Sequence, residues 1–187
     1  MEQSTDRKII RQMAEFNLND MVLGETDTLL CFQTRDELNH LLAAMIQQGN
    51  RQVQYFSKKF DEQVIGYSPV PDAIRQFLLN HGESMFKSLV SSSQELVQSG
   101  SRLVELLRNN MPRVECRTRR QSSSGHGTFE GCFVTVDNHG YVYLPDPERF
   151  AGSACFKAAG TVDKFSEVFA ENWRVSDLDA EMQPLYI

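Results

Sequence analysis

A chain of 187 residues, 41% hydrophobic and 24% charged, is long enough to bury one core and too apolar to stay disordered. Its net charge of −6 and pI near 5.2 exclude whole-molecule attraction to nucleic acid or an anionic membrane, so such binding needs a local basic patch. No apolar run reaches the roughly 18 residues of a spanning helix, Met1 to Asp20 lacks a signal-peptide pattern, and Cys31, Cys116, Cys132 and Cys155 form no CxxC pair; the expectation is a soluble, cytoplasmic protein with reduced thiols and no cofactor.

Ser4 and Thr5 stand as N-caps before Ile9, Ile10, Met13 and Phe16, whose spacing predicts a first helix with Arg7, Lys8 and Arg11 on its solvated face. The run Leu29 to Phe32 predicts a short strand over Thr28 to Gln33, covered on both faces. Thr34 and Glu37 form a capping box ahead of the stripe Leu38, Leu41, Leu42, Met45 and Ile46, and Gly49 stands where a helix ends. Alternation through Gln52 to Tyr55 predicts the next strand. Strand, helix and strand fit a right-handed parallel crossover or an antiparallel return equally.

Asp61 to Pro71 reads as a loop or short edge segment around Val64, Ile65 and Tyr67, and Pro71 with Asp72 suits a first helical turn. From about 71 to 110 the apolar positions predict a long, broken helical region, interrupted at Asn80-His81-Gly82, Ser91 to Ser93 and Ser99 to Ser101. The near-heptad spacing from Met85 to Leu107 allows a semi-independent helical hairpin or a dimer seam.

Arg113 to Leu144 gathers two cysteines, two histidines and four arginines. Val114, Cys116 and Thr118 alternate with Glu115, Arg117 and Arg119, giving a strand with a basic face. Gln121 to Thr128 is a serine- and glycine-rich loop, and Phe129 to Val136 a strand. Asp137 to Gly140 offers a type I turn with glycine in the left-handed position, setting Val136 opposite Tyr141, Val134 opposite Tyr143 and Phe133 opposite Leu144. The three strands make a simple antiparallel meander. Beyond it, Asp146-Pro147-Glu148 opens a short helical turn, Ser153 to Ala159 a second ended by Gly160, and Thr161 caps a helix with Val162, Phe165, Val168 and Phe169 on one stripe and Trp173 just beyond. Ser176, Asp177 and Asp179 begin a final acidic turn.

Four constellations carry chemistry. Cys132 with His126 or His139 and Asp137, or Cys155 near a helix start, has the residue types of a cysteine hydrolase or transferase, in which a base activates a thiolate. On strand faces, however, Cys132 alternates as a core residue. Cys116, His126, Cys132 and His139 are of metal-ligand type, but gaps of ten, six and seven residues are unlike the close pairs of structural zinc sites, so no metal is expected. Arg113, Arg117, Arg119 and Arg120, with the adjoining loop and Tyr141 and Tyr143 as stacking groups, suit nucleic acid or phosphate. Arg119-Arg120-Gln121-Ser122 also has the form of a basophilic kinase site. The two-sided apolar hairpin, the helical region and the terminal Leu185-Tyr186-Ile187 suit a protein partner.

The fold expected is a single α+β domain over 1–187, with the 113–144 meander in a mixed sheet with the Thr28 and Val53 strands, covered by helices. Because no catalytic pattern outweighs its structural reading, the expected function is a non-enzymatic, regulatory protein-binding role through the meander and adjoining helices, with self-association open. The alternatives are the cysteine enzyme and nucleic-acid binding through Arg113 to Arg120.

Overall fold

The computed structural model describes residues 17–80, 82–119 and 129–183, and of 10–12 the backbone. The α+β class is confirmed. In chain order the elements are β1 (Ile10–Gln12), β2 (Leu29–Phe32), α1 (Arg35–Gln47), β3 (Gln52–Phe56), α2 (Glu62–Ile65), α3 (Val70–Asn80), β4 (Met85–Val90), α4 (Gln94–Gln98), α5 (Arg102–Arg108), β5 (Val114–Thr118), β6 (Cys132–Val136), β7 (Gly140–Asp146), β8 (Ala151–Cys155), α6 (Ala159–Arg174) and β9 (Asp177–Leu178). Among the described residues these strands form one sheet in the order β1-β2-β8-β7-β6-β3-β4-β5-β9.

Helix α1 starts where its capping box places it: Thr34 Oγ1 accepts from the Glu37 amide at 3.2 Å, and Glu37 Oε2 accepts from the Thr34 amide at 3.2 Å. It leads from β2 to β3, which point the same way but are separated by β8, β7 and β6. Strands β3, β4 and β5 are parallel neighbours, joined through α2 with α3 and through α4 with α5.

This arrangement corrects four sequence expectations. Met85 to Val90 is a strand in the interior of the sheet, where polar Ser88 on the buried face and apolar Leu89 under α6 blur the alternation; the heptad across it has no structural counterpart. The meander is broken, since β3 and β4 lie between β5 and β6. Ser153 to Cys155, expected to begin a helical turn, instead ends β8, which pairs with both β2 and β7. The backbone at Ile10 to Gln12, expected to be helical, is extended and pairs parallel with β2.

The hairpin register also shifts by one: Val136 pairs with Gly140, Val134 with Val142 and Cys132 with Leu144. Asp137, not Gly140, takes the left-handed conformation, at φ 52°. Its carboxylate accepts from the amides of Asn50, Arg51 and Gln52 at 2.9, 2.9 and 2.8 Å, fastening the turn to the start of β3.

Each sheet face has its own core. On one, α1, α3 and α5 cover Val53, Tyr55, Phe86, Val114, Cys116, Cys132, Val134 and Val142. On the other, α6 lays Val162, Phe165 and Phe169 over Phe56, Leu89, Phe133 and Tyr141. One helix cannot span nine strands, so the β4–β5 end of that second face carries polar side chains.

Candidate functional site

The parallel strands β3, β4 and β5 end on the same side of the sheet, and in open α/β sheets ligands gather at such carboxyl ends. Ser57 to Lys59 follow β3, Ser91 and Ser92 follow β4, and Arg119 follows β5; β6 begins beside them after Phe129, Glu130 and Gly131. Backbone bonds tie these ends together: the Ser91 amide donates to Lys58 O at 2.9 Å, and the Arg119 amide to Val90 O at 2.7 Å.

Strand alternation brings Lys87, Glu115, Arg117 and Arg119 to the α6 side of the sheet. The Arg119 guanidinium lies over the Phe56 ring, with Cζ 4.6 Å from its centroid, and Nη2 donates to Ser91 Oγ at 3.1 Å. Its Nε is buried and has no partner among the described residues. Burial pulls its pKa below the ordinary value and Glu130 opposes this; the guanidinium stays charged. One strand position back, Arg117 Cζ is 4.7 Å and Lys87 Nζ 5.6 Å from the ring centroid of Trp173 in the last turn of α6, and Arg117 Nε donates to Glu115 Oε1 at 2.6 Å. Trp173 stacks in turn on Phe169, centroids 5.1 Å apart. Three cations against two carboxylates, Glu115 and Glu130, leave a local positive patch on an acidic chain, held flat on aromatic faces.

An aromatic wall closes the α6 side. Phe129 packs edge-on against Phe56 at 5.7 Å, Phe133 at 5.4 Å and Phe165 at 6.0 Å, and lies 5.9 Å from Tyr143. Gly131 permits this, since a Cβ there would fall 2.7 Å from Tyr143 Cε2.

The other sequence candidates are dispersed. Arg113 donates to Leu78 O at the end of α3 and acts as a cap. Tyr141 is buried under α6, whereas Tyr143 is half-buried. Arg120, His126 and Ile187 lie outside the described residues. His139 is in the β6–β7 turn, at the opposite end of the strands, with its ring against Gly24. Cys132 is fully buried and burial pushes its thiol up to about 12; Cys116 is pushed up to about 12 by the same cause. Cys155 is buried beside Asp27, its Sγ 3.2 Å from Lys157 O. Cys116 and Cys132 sit three strand spacings apart, about 14 Å, and among the described residues no group of three His, Cys, Asp or Glu is placed to hold a metal ion.

Lys87, Trp173 and Ser91 are the site residues that sequence reading missed. For Lys87 the sequence carried no clear signal, since polar Ser88 and apolar Leu89 break the alternation of Phe86 and Lys87. Open cavities among the described residues lie elsewhere. One of about 500 Å³ beside α1 is lined by Asp36, Glu37 and His40, the wrong sign for an anion. One of about 370 Å³ between β5 and β9 is lined by Met111, Val114, Cys116 and Leu178. No helix among the described residues is long and apolar enough to cross a membrane.

Three solved structures share the fold. TrmBL2, described as an archaeal chromatin protein with a novel mode of DNA binding, is 15% identical with a TM-score of 0.59; the match covers 86% of this chain and 56% of that one, so the chain spans little more than half of its length. NucT from Helicobacter pylori is 9% identical with a TM-score of 0.58, covering 81% of this chain and 99% of that one. Nuc from Salmonella typhimurium, a phospholipase D family member, is 10% identical with a TM-score of 0.58, covering 81% and 97%. These likenesses overturn the expected regulatory protein-binding role: the structures that share this sheet are described by DNA binding and by membership of the phospholipase D family, and the hairpin's apolar faces, on which that role rested, are buried under α1 and α6. No curated protein matches the chain. The model of the family described as Domain of unknown function (DUF7931) matches residues 34–185, and the chain belongs to that family.

Proposed function

We propose that the protein binds the phosphodiester backbone of nucleic acid through Lys87, Arg117 and Arg119, beside the last turn of α6. The observation that carries this reading is the placement of three cations near one another, on β4, on β5 and just after β5, flat against Trp173 and Phe56. Phosphate contacts from such groups supply affinity without reading sequence. The net charge of −6 confines the attraction to this patch. DNA binding by the chromatin protein of the same fold supports the reading. The cysteine-enzyme alternative lacks this support: a thiolate nucleophile needs a lowered pKa and access, and Cys132 and Cys155 are fully buried.

The test is fluorescence anisotropy of a labelled oligonucleotide of mixed sequence with the full chain at 50 mM NaCl. Dissociation constants at or below about 10 µM are expected, since nonspecific binders fall near 10⁻⁴ to 10⁻⁶ M at higher salt. Arg117→Gln with Arg119→Gln should weaken binding at least ten-fold with the melting temperature held within a few degrees. No binding by the wild type, or full binding by that variant, contradicts the reading. Electrophoresis of the recovered oligonucleotide separates a binder, which leaves it intact, from a phosphodiesterase.

A further inference from the structure

Resting on the nucleic-acid reading, we infer that the preferred ligand is an extended single strand rather than a duplex. The cations lie on the floor of a strip, not on a projecting edge. To one side of Lys87 on β4 and Arg117 on β5 stands β9, the outermost strand; to the other stands α6, which packs over β6, β7, Phe56 of β3 and Leu89 of β4 and brings Trp173 to the boundary. Among the described residues the strip runs from the part of β4 at Lys87 across β5 to β9, at most two strand spacings or about 10 Å. It is walled by a helix about 10 Å across. A B-form duplex is broader than its own major groove of about 12 Å, and so too broad and too stiff to enter beside that wall.

The side chains agree with the geometry. Lys87, Arg117 and Arg119 are half-buried and lie along ring faces rather than reaching outward. A rigid cylinder meets such groups poorly, whereas a flexible chain can come down to them. Glu115 at 2.6 Å already offsets part of the Arg117 charge, so phosphate contact alone leaves a small electrostatic term. A single strand adds what a duplex hides, the faces of its bases. These can stack on the guanidinium plane of Arg117, backed by Trp173. Each stacked base is worth roughly ten-fold in affinity and tolerates any sequence.

Trp173 is the one tryptophan of the chain, so the site carries its own reporter. The experiment titrates the full chain with a labelled 15-nucleotide strand of mixed sequence, and separately with the matching duplex, at 100 mM NaCl, reading anisotropy and tryptophan emission. The expected result is binding of the single strand at least ten-fold tighter than the duplex, with emission from Trp173 changed by the single strand at saturation. Trp173→Leu should cost the single strand roughly five-fold or more. Duplex affinity equal to or above that of the single strand overturns the inference while leaving the nucleic-acid reading standing, as does a Trp173 emission that stays constant when the single strand saturates. Binding of neither ligand removes both.

Discussion

Asp137 offers a direct probe of how the sheet is held. Its carboxylate accepts three backbone amides, from Asn50, Arg51 and Gln52 at 2.8 to 2.9 Å, and its own amide donates to Gln52 O at 2.8 Å. Bonds to an ionised acceptor contribute about 1.5 to 3 kcal/mol each. The Asn50 and Arg51 residues are exposed, so their amides can turn to water when the carboxylate is removed, whereas Gln52 is half-buried and opens β3. Counting one bond in full and two in part, Asp137→Ala should destabilise the protein by about 3 kcal/mol. For a chain of this size that corresponds to about 6 to 12 °C in melting temperature. Asp137→Gly should cost about 1 kcal/mol less, because glycine adopts the φ of 52° without penalty. Asp137→Asn keeps the oxygen serving Arg51 and Gln52 and should fall between. Urea unfolding followed by circular dichroism measures all three. A cost below about 1 kcal/mol for the alanine variant would refute the reasoning that this carboxylate, and not the hairpin turn alone, sets the β3–β6 register.

Three further outcomes follow. The buried thiols of Cys116 and Cys132, raised from an ordinary value of 9.0 to about 12, ionise later in the folded than in the unfolded chain; their contribution is complete below pH 9 and is lost as pH rises toward 12. Linkage at about 1.4 kcal/mol per unit for each thiol makes the chain roughly 3 kcal/mol less stable at pH 10 than at pH 8, and Cys116→Ala with Cys132→Ala should flatten that slope in urea titrations. Glu115→Gln removes the carboxylate bonded to Arg117 and should tighten oligonucleotide binding by about three-fold, a partly screened Coulomb term; weaker binding would place Arg117 away from the ligand. Gly152→Ala would set a Cβ 2.1 Å from Tyr143 O and 2.7 Å from Phe32 Cζ, so a loss of about 3 kcal/mol by thermal melting is expected from overpacking.

The parts of the fold legible from sequence are those encoded locally. The Thr34–Glu37 capping box, the strand ahead of it and the apolar stripe of α6 each declare themselves within a few residues, and the basic alternation of Arg117 and Arg119 survives into the site. What stayed hidden depends on neighbours distant in sequence. Strand β4 has polar Ser88 on its buried face and apolar Leu89 under α6, so its sequence carries no clean period of two and reads as helix. Strand β8 is built of Ala, Gly and Ser, poor strand formers, which are chosen here because Tyr143 and Phe32 crowd Gly152. The insertion of β3 and β4 between β5 and β6 has no local signature, and it moved Cys116 away from Cys132. The same insertion brought Lys87 next to Arg117 and both beneath Trp173.

The central claim, that Lys87, Arg117 and Arg119 meet phosphates, is tested most directly by the salt dependence of binding. The logarithm of the association constant for a labelled single strand, plotted against the logarithm of NaCl concentration between 50 and 200 mM, should fall with a slope near −2, from three contacts at about 0.7 each. Lys87→Gln, Arg117→Gln and Arg119→Gln should each reduce that slope by about 0.7. Slopes unchanged in all three variants would contradict the account.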